Sequence, residues 1–142
     1  MIIGIGTDLL DIRRIERTLE RFGERFCARV FSDGERRRCE GRINRSARYA
    51  LRYAAKEACA KALGTGFRRG VFWVDIQVDN LPSGKPVLTL SGGARRRLDE
   101  VTPQGMAAAV EVSLTDEYPF AHAMVVISAV PRIDRAPERV VT

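Results

Sequence analysis

The chain has a single histidine, His122, and a single tryptophan. His122 falls inside the strand-like run AHAMVVISAV, where a packed or edge-exposed imidazole is expected rather than a catalytic one. That argues against a histidine-dependent triad and against a zinc enzyme. Cysteine is scarce as well: Cys27, Cys39 and Cys59 form an odd, widely spaced set. Such a set gives neither a disulfide framework nor zinc-ligand spacing. All three lie in helix-like segments and read as buried free thiols. No apolar run approaches the roughly 18 residues of a membrane span. The opening MIIGIGTDLL lacks the basic region of a signal peptide, so it reads as a strand entering the fold, and the expected address is the cytoplasm. Walker loops and the G-x-G-x-x-G fingerprint are missing. So are internal repeats, dividing linkers, and the spacings of helix-turn-helix and zinc-finger modules.

What is present is arginine. Net charge is +6 over 142 residues, with 45% apolar and 30% charged side chains. This is the balance of a soluble globular chain, long enough to bury a core without staples. The charge points to an acidic partner: a nucleic acid, a phosphorylated ligand or an acidic protein. It does not choose among them. One domain is expected over residues 1–130, followed by a polar, proline-broken, flexible tail over 131–142.

Apolar spacing organises the chain. Ile2 to Gly6 reads as a short buried strand with glycines at alternate positions, and Thr7 and Asp8 offer cap chemistry for a helix. Ile12, Ile15, Leu19 and Phe22 mark one face of that helix, which Gly23 stops. Arg14, Arg17 and Arg21 form a basic stripe away from that face. Ser32-Asp33-Gly34-Glu35 matches a capping box. Ser46 is placed to cap a long helix ending before Gly64. Trp73 to Val78 alternates as a half-buried strand does, and Val87 to Leu90 returns after the turn Leu81 to Pro86. Gly92 to Val101 reads as a helix. Ala108 to Leu114 and Ala121 to Val130 read as strands joined by a hairpin at Asp116 to Pro119. Helices early and antiparallel strands late define an α+β class: an antiparallel sheet packed with one long helix and shorter ones.

The long helix ends in RYAAKEACAKALGTG, Arg52 to Gly66. It is small on nearly every side, yet it carries Lys56, Glu57 and Lys61. An i,i+4 pair of Glu57 and Lys61 is worth only about 0.2–0.5 kcal/mol on a helix surface. Asp8 alone is a helix cap. Taken together they permit another reading. Two carboxylates from separate segments can hold one Mg²⁺, which takes few protein oxygens. A nearby lysine then serves phosphate oxygens. The turn Gly64-Thr65-Gly66 gives room for backbone approach, or it is only a C-cap.

GIGTDLLDIRRIE followed by RYAAKEACAKALGTG resembles the bacterial holo-[acyl-carrier-protein] synthases, the small members of the 4′-phosphopantetheinyl transferase superfamily. Their pattern is G-x-D and then (F/W/Y)-x-x-K-E-A-x-x-K-A-x-G-x-G, with Tyr53 in the aromatic slot here. Gly84-Lys85-Pro86 matches a later G-K-P turn, and Val112 to Thr115 the closing V-S-L-T. The similarity runs from Ile2 to about Val130. Relatives often carry a histidine after V-S-L-T, where this chain has Asp116. The resemblance implies a trimeric fold with active sites between subunits. It implies Mg²⁺-dependent transfer of the 4′-phosphopantetheine arm of coenzyme A to a serine of apo acyl carrier protein. Asp8 and Glu57 would be the metal ligands, and Lys61 would contact phosphates. Lys56, Gly64, Gly66, Gly84, Lys85 and Pro86 would shape the coenzyme A site. The general base stays open between Glu57 acting through a water and a metal-linked water. Arg14, Arg17, Arg21 and Arg25, extended by Arg29, would dock the acidic carrier. The competing expectation is a basic nucleic-acid-binding module without catalysis. The arginines lack the interleaved exposed aromatics that an RNA-stacking sheet requires.

Overall fold

A computed structural model describes residues 1–133. The first strand, β1 (Ile2–Asp11), runs into three short helices, α1 (Ile12–Phe22), α2 (Glu24–Val30) and α3 (Asp33–Cys39). The long helix α4 (Arg45–Ala62) follows, then a 3₁₀ turn (Trp73–Asp75) and the hairpin β2 (Ile76–Asn80) and β3 (Pro86–Leu90). Helix α5 (Gly92–Val101) precedes a second hairpin, β4 (Met106–Glu117) and β5 (Phe120–Pro131). The expected tail lies outside the described residues from 134 onward, and Pro131 still belongs to β5.

The main sheet has the order β1-β5-β4 and is antiparallel throughout, while β2 and β3 form a separate two-stranded sheet. Helix α4 lies across one face of the main sheet. Ala54, Ala55, Ala58, Cys59, Ala60 and Ala62 are all buried, together with Ala123, Val125 and Ile127 of β5. The small side chains permit close approach on both flanks of the helix. Two glycines of β1 set that distance. A Cβ on Gly6 would lie 2.0 Å from the Ala58 carbonyl oxygen, and one on Gly4 would lie 2.3 Å from that of Ala62. The alternate glycines therefore seat the strand backbone directly on the helix backbone. A second core gathers Leu10, Ile12, Ile15, Leu19, Val30, Phe31 and Tyr49 under the short helices.

Several sequence expectations shift. Strand β1 is longer than expected, because its pairing with β5 continues to Asp11 opposite Phe120. Thr7 and Asp8 are thus in the strand, and the cap of α1 is Asp11, which accepts from the Arg13 amide at 2.9 Å. Most of the strand is also less buried than expected, with Ile5 and Leu9 exposed. Ser46 lies inside α4, one residue after its start. Trp73 stacks on Phe67 with ring centroids 3.7 Å apart and begins a 3₁₀ turn, so the strand starts only at Ile76. Phe22 is exposed rather than part of the buried face of α1. The Ser32–Glu35 capping box, helix α5 and the three buried cysteines stand as expected.

Candidate active site

Asp8 follows Gly4 and Gly6 at strand spacing, so all three face α4. The helix presents Glu57 and Lys61 to the same cleft, one turn apart. Lys61 does not close an ion pair with its helix neighbour. Its Nζ donates to Asp8 Oδ1 at 3.2 Å and to the Thr7 carbonyl oxygen at 3.0 Å. The lysine is half exposed, whereas the Asp8 side chain keeps only 16% of its accessibility. Glu57 is half-buried, and its carboxyl is pushed above its ordinary range by burial and then by the negative charge of Asp8. Lys61, a hydrogen bond from Tyr53, and Arg14 act in the opposite direction. Arg14, expected only in a docking stripe, therefore also bears on the acidic pair.

This donor set fits a hard divalent cation. Two carboxylates close enough to repel each other are relieved by a positive ion between them. Among the described residues no group of three or more histidine, cysteine, aspartate or glutamate side chains could hold a metal. Asp8 and Glu57 could supply two oxygens to such an ion, leaving further positions to water and substrate oxygens, as suits Mg²⁺.

Beyond Lys61 the helix ends in an open turn. Gly64 and Gly66 have φ of 80° and 58°. A Cβ on Gly66 would meet nothing within 4 Å, so the turn's surface is free. Arg97 of α5 stands over it, donating from Nε to the Leu63 carbonyl oxygen at 2.9 Å. Sequence reasoning did not find Arg97. Nothing in its own segment marks it, because the fold brings α5 to the turn.

Two expected groups are placed elsewhere. Lys56 cannot touch a ligand in the cleft: it is fully buried, with Nζ donating to Glu35 Oε1 at 2.7 Å and to the Trp73 carbonyl oxygen at 3.1 Å. Gly84-Lys85-Pro86 forms the tip of the β2–β3 hairpin, and Lys85 pairs with Glu111 of β4 at 3.3 Å. Strand β4 is separated from β1 by β5. Within one chain, that turn and Asp8 therefore belong to opposite edges of the sheet. Asp116 is exposed near the end of β4, opposite Ala121. His122 alternates to the other face of the sheet and does not stand in for a histidine at that place.

Arg14, Arg17 and Arg21 are exposed along α1 and line a shallow hollow with Thr18 and Phe22. Arg25 and Arg29 line the next hollow with Phe22 and Phe26. Basic rims over an aromatic floor thus run along α1 and α2. No helix among the described residues is long and apolar enough to cross a membrane.

The sequence profile of the 4′-phosphopantetheinyl transferase superfamily matches residues 4–121, and the chain belongs to that superfamily. Within it, the chain is 64% identical to a holo-[acyl-carrier-protein] synthase of Beijerinckia indica over 130 residues, covering 92% of this chain and 93% of that one. It also resembles the crystal structure of the Neisseria meningitidis synthase, with a TM-score of 0.79 at 35% identity over 90% of this chain and 99% of the other. The Helicobacter pylori synthase in complex with coenzyme A gives a TM-score of 0.74 at 32% identity, covering 87% of this chain and 99% of that one. This membership replaces the reading of the chain as a nucleic-acid-binding module.

Proposed function

We infer that the chain is a holo-[acyl-carrier-protein] synthase. It moves the 4′-phosphopantetheine arm of coenzyme A onto a serine of apo acyl carrier protein. The serine oxygen forms a bond to the β-phosphorus, the diphosphate bond breaks, and adenosine 3′,5′-bisphosphate leaves. The observation that carries this reading is the meeting of Asp8, Glu57 and Lys61 beside the open Gly64–Gly66 turn.

Phosphoryl-type transfer needs positioning and charge neutralisation more than covalent help. Asp8 and Glu57 would hold Mg²⁺, which polarises and orients the diphosphate when bound. Lys61, half exposed and anchored on Asp8, offers its remaining N–H to a phosphate oxygen. Glu57 takes the serine proton through one water, which its carboxylate orients. The stripe Arg14, Arg17 and Arg21 receives the acidic carrier next to this cleft.

The working unit is a homotrimer with composite sites. Two features support it. The face of the main sheet turned away from α4 exposes Ile5, Leu9, Phe120, Met124 and Val130. Exposed apolar side chains gathered on one sheet face favour an interface there. The Gly84-Lys85-Pro86 turn, meanwhile, lies on the wrong edge to complete its own chain's cleft, so it serves a neighbour's coenzyme A. Buried reduced thiols fit the cytoplasm. The test is to incubate the protein with coenzyme A, Mg²⁺ and apo carrier protein and to weigh the carrier. A mass gain equal to the phosphopantetheine arm is expected. No gain, with tight salt-dependent nucleic-acid binding, would overturn the reading. Sedimentation at micromolar concentration should show three chains, and a fully active monomer would refute the composite site.

A further inference from the structure

Glu35 of α3 has no exposed surface, and neither has Lys56 of α4. The pair is held by directional hydrogen bonds. Glu35 Oε1 accepts from Lys56 Nζ at 2.7 Å and from its own cap amide, Ser32, at 2.9 Å. Oε2 accepts from the backbone amide of Val78, in β2, at 3.0 Å. Lys56 reaches onward to the Trp73 carbonyl oxygen at the start of the 3₁₀ turn. One carboxylate thus joins α3, α4, the 3₁₀ turn and β2.

The β2–β3 hairpin needs such a tie. Among the described residues its strands pair only with each other. A lone hairpin is marginal in water and depends on what it packs against. Its buried residues Ile76 and Val78 supply non-directional apolar contact, which does not fix position along the strand. The other polar ties are weak. Arg52 reaches Asn80 at 3.4 Å, and its Nε has no partner among the described residues. The Lys85–Glu111 pair is exposed on both sides, where such pairs contribute little.

We propose that Glu35 is a positioning residue for coenzyme A binding: through Lys56 and the Val78 amide it fixes the β2–β3 hairpin, and with it the Gly84-Lys85-Pro86 turn, against α4. This rests on the reading above that the turn touches coenzyme A. A buried ion pair is poor evidence of stabilisation by itself, since apolar replacement of both partners is often neutral. The directional role is what a neutral replacement loses.

The test is steady-state kinetics on the full chain. E35L/K56M removes both charges together, so that neither is left buried alone, and leaves the Val78 amide no side-chain acceptor at that position. E35D keeps the charge and the lysine pair, withdraws the carboxylate from Val78 by one methylene, and serves where the double variant does not fold. Melting temperature is recorded for each. KM for coenzyme A is expected to rise about tenfold, the factor one lost hydrogen bond to a charged group is worth. KM for the carrier protein should stay at the wild-type value. A purely structural role would lower the melting temperature without separating the two KM values. K85A is the reference for the turn. If K85A raises KM for coenzyme A while both Glu35 variants leave it unchanged, the proposal is overturned and the function stands. If K85A itself changes nothing, the turn's assignment fails, and the proposal with it.

Discussion

Gly6→Ala is the sharpest test of how the fold makes the site. The added Cβ would sit 2.0 Å from the Ala58 carbonyl oxygen and 2.8 Å from the Ala62 amide nitrogen. Both atoms are helix backbone and cannot rotate away. Ordinary contact begins near 3.4 Å, so strand and helix must separate by about 1.4 Å at that point. Overpacking of this kind costs about 1–3 kcal/mol, which a domain of ordinary stability survives. The functional cost is larger. Asp8 lies two residues along the strand from the clash, and Glu57 precedes Ala58 on the helix. The separation therefore opens the distance between the two carboxylates, and a misplacement of about 1 Å can lower a rate by about a hundredfold. Three measurements on the purified variant decide it: melting temperature, thermal stabilisation by Mg²⁺, and transfer rate at saturating coenzyme A. The expectation is a folded protein that has lost most of its metal response and about two orders of magnitude in rate. A folded variant with wild-type rate and metal response would refute the claim that glycine contact positions the acids.

Glu57→Gln should raise the melting temperature of the cation-free protein while removing its response to Mg²⁺. The folded-state pKa of Glu57 is raised from 4.5, so its contribution to stability is full below the unfolded value and is lost as pH rises through the folded one. The permanently neutral variant should lack that fall in a pH series of melting curves. Lys61→Ala should keep some metal binding and lower the transfer rate by about a hundred- to a thousand-fold, the scale of one lost preorganised donor; a rate within a few-fold of wild type would remove Lys61 from the phosphate. Reversing Arg17 and Arg21 to glutamate should lower kcat/KM for the carrier by about tenfold or more at low salt, with coenzyme A KM unchanged; no change at low salt would leave the stripe a solvated face. Arg14 is kept out of that variant because its charge reaches Glu57. Burial pushes the thiols of Cys39 up to about 11 and Cys59 up to about 12. At pH 8 the native protein should therefore resist a thiol-disulfide probe, and all three cysteines should react after denaturation; rapid reaction of Cys39 or Cys59 in the native protein would contradict their burial.

Local signals were legible where a single segment carries its own cause. The Ser32–Glu35 capping box and the boundaries of α5 could be read directly, because cap chemistry and helical spacing act within a few residues. The alternate glycines of β1 were visible as a pattern, but their reason was not. It lies some fifty residues away, in the backbone of α4 between Ala58 and Ala62. The end of β1 differs from its sequence signal for a similar cause. Thr7 and Asp8 have the side chains of a cap, but pairing with β5 holds them extended, and the same chemistry appears at Asp11 once the partner strand ends. Trp73 looked like a strand residue by alternation and is instead fixed by stacking on Phe67, which no period reports.

The charges of the long helix show the limit most plainly. Helical spacing pairs Glu57 with Lys61, but the lysine crosses to Asp8 and leaves Glu57 facing that same aspartate. The pairing that spacing favours is worth only about 0.2–0.5 kcal/mol, so tertiary placement overrides it at little cost. Lys56 departs from its expected place in the opposite direction. A lysine beside Glu57 invites assignment to the ligand, and a residue every 100° around the helix sends it instead into the core. Its partner Glu35 reads in sequence as half of a capping box, a role it does fill through the Ser32 amide. A carboxylate accepts several donors at once. One local role therefore left room for the contacts to Lys56 and Val78 that only the folded chain reveals.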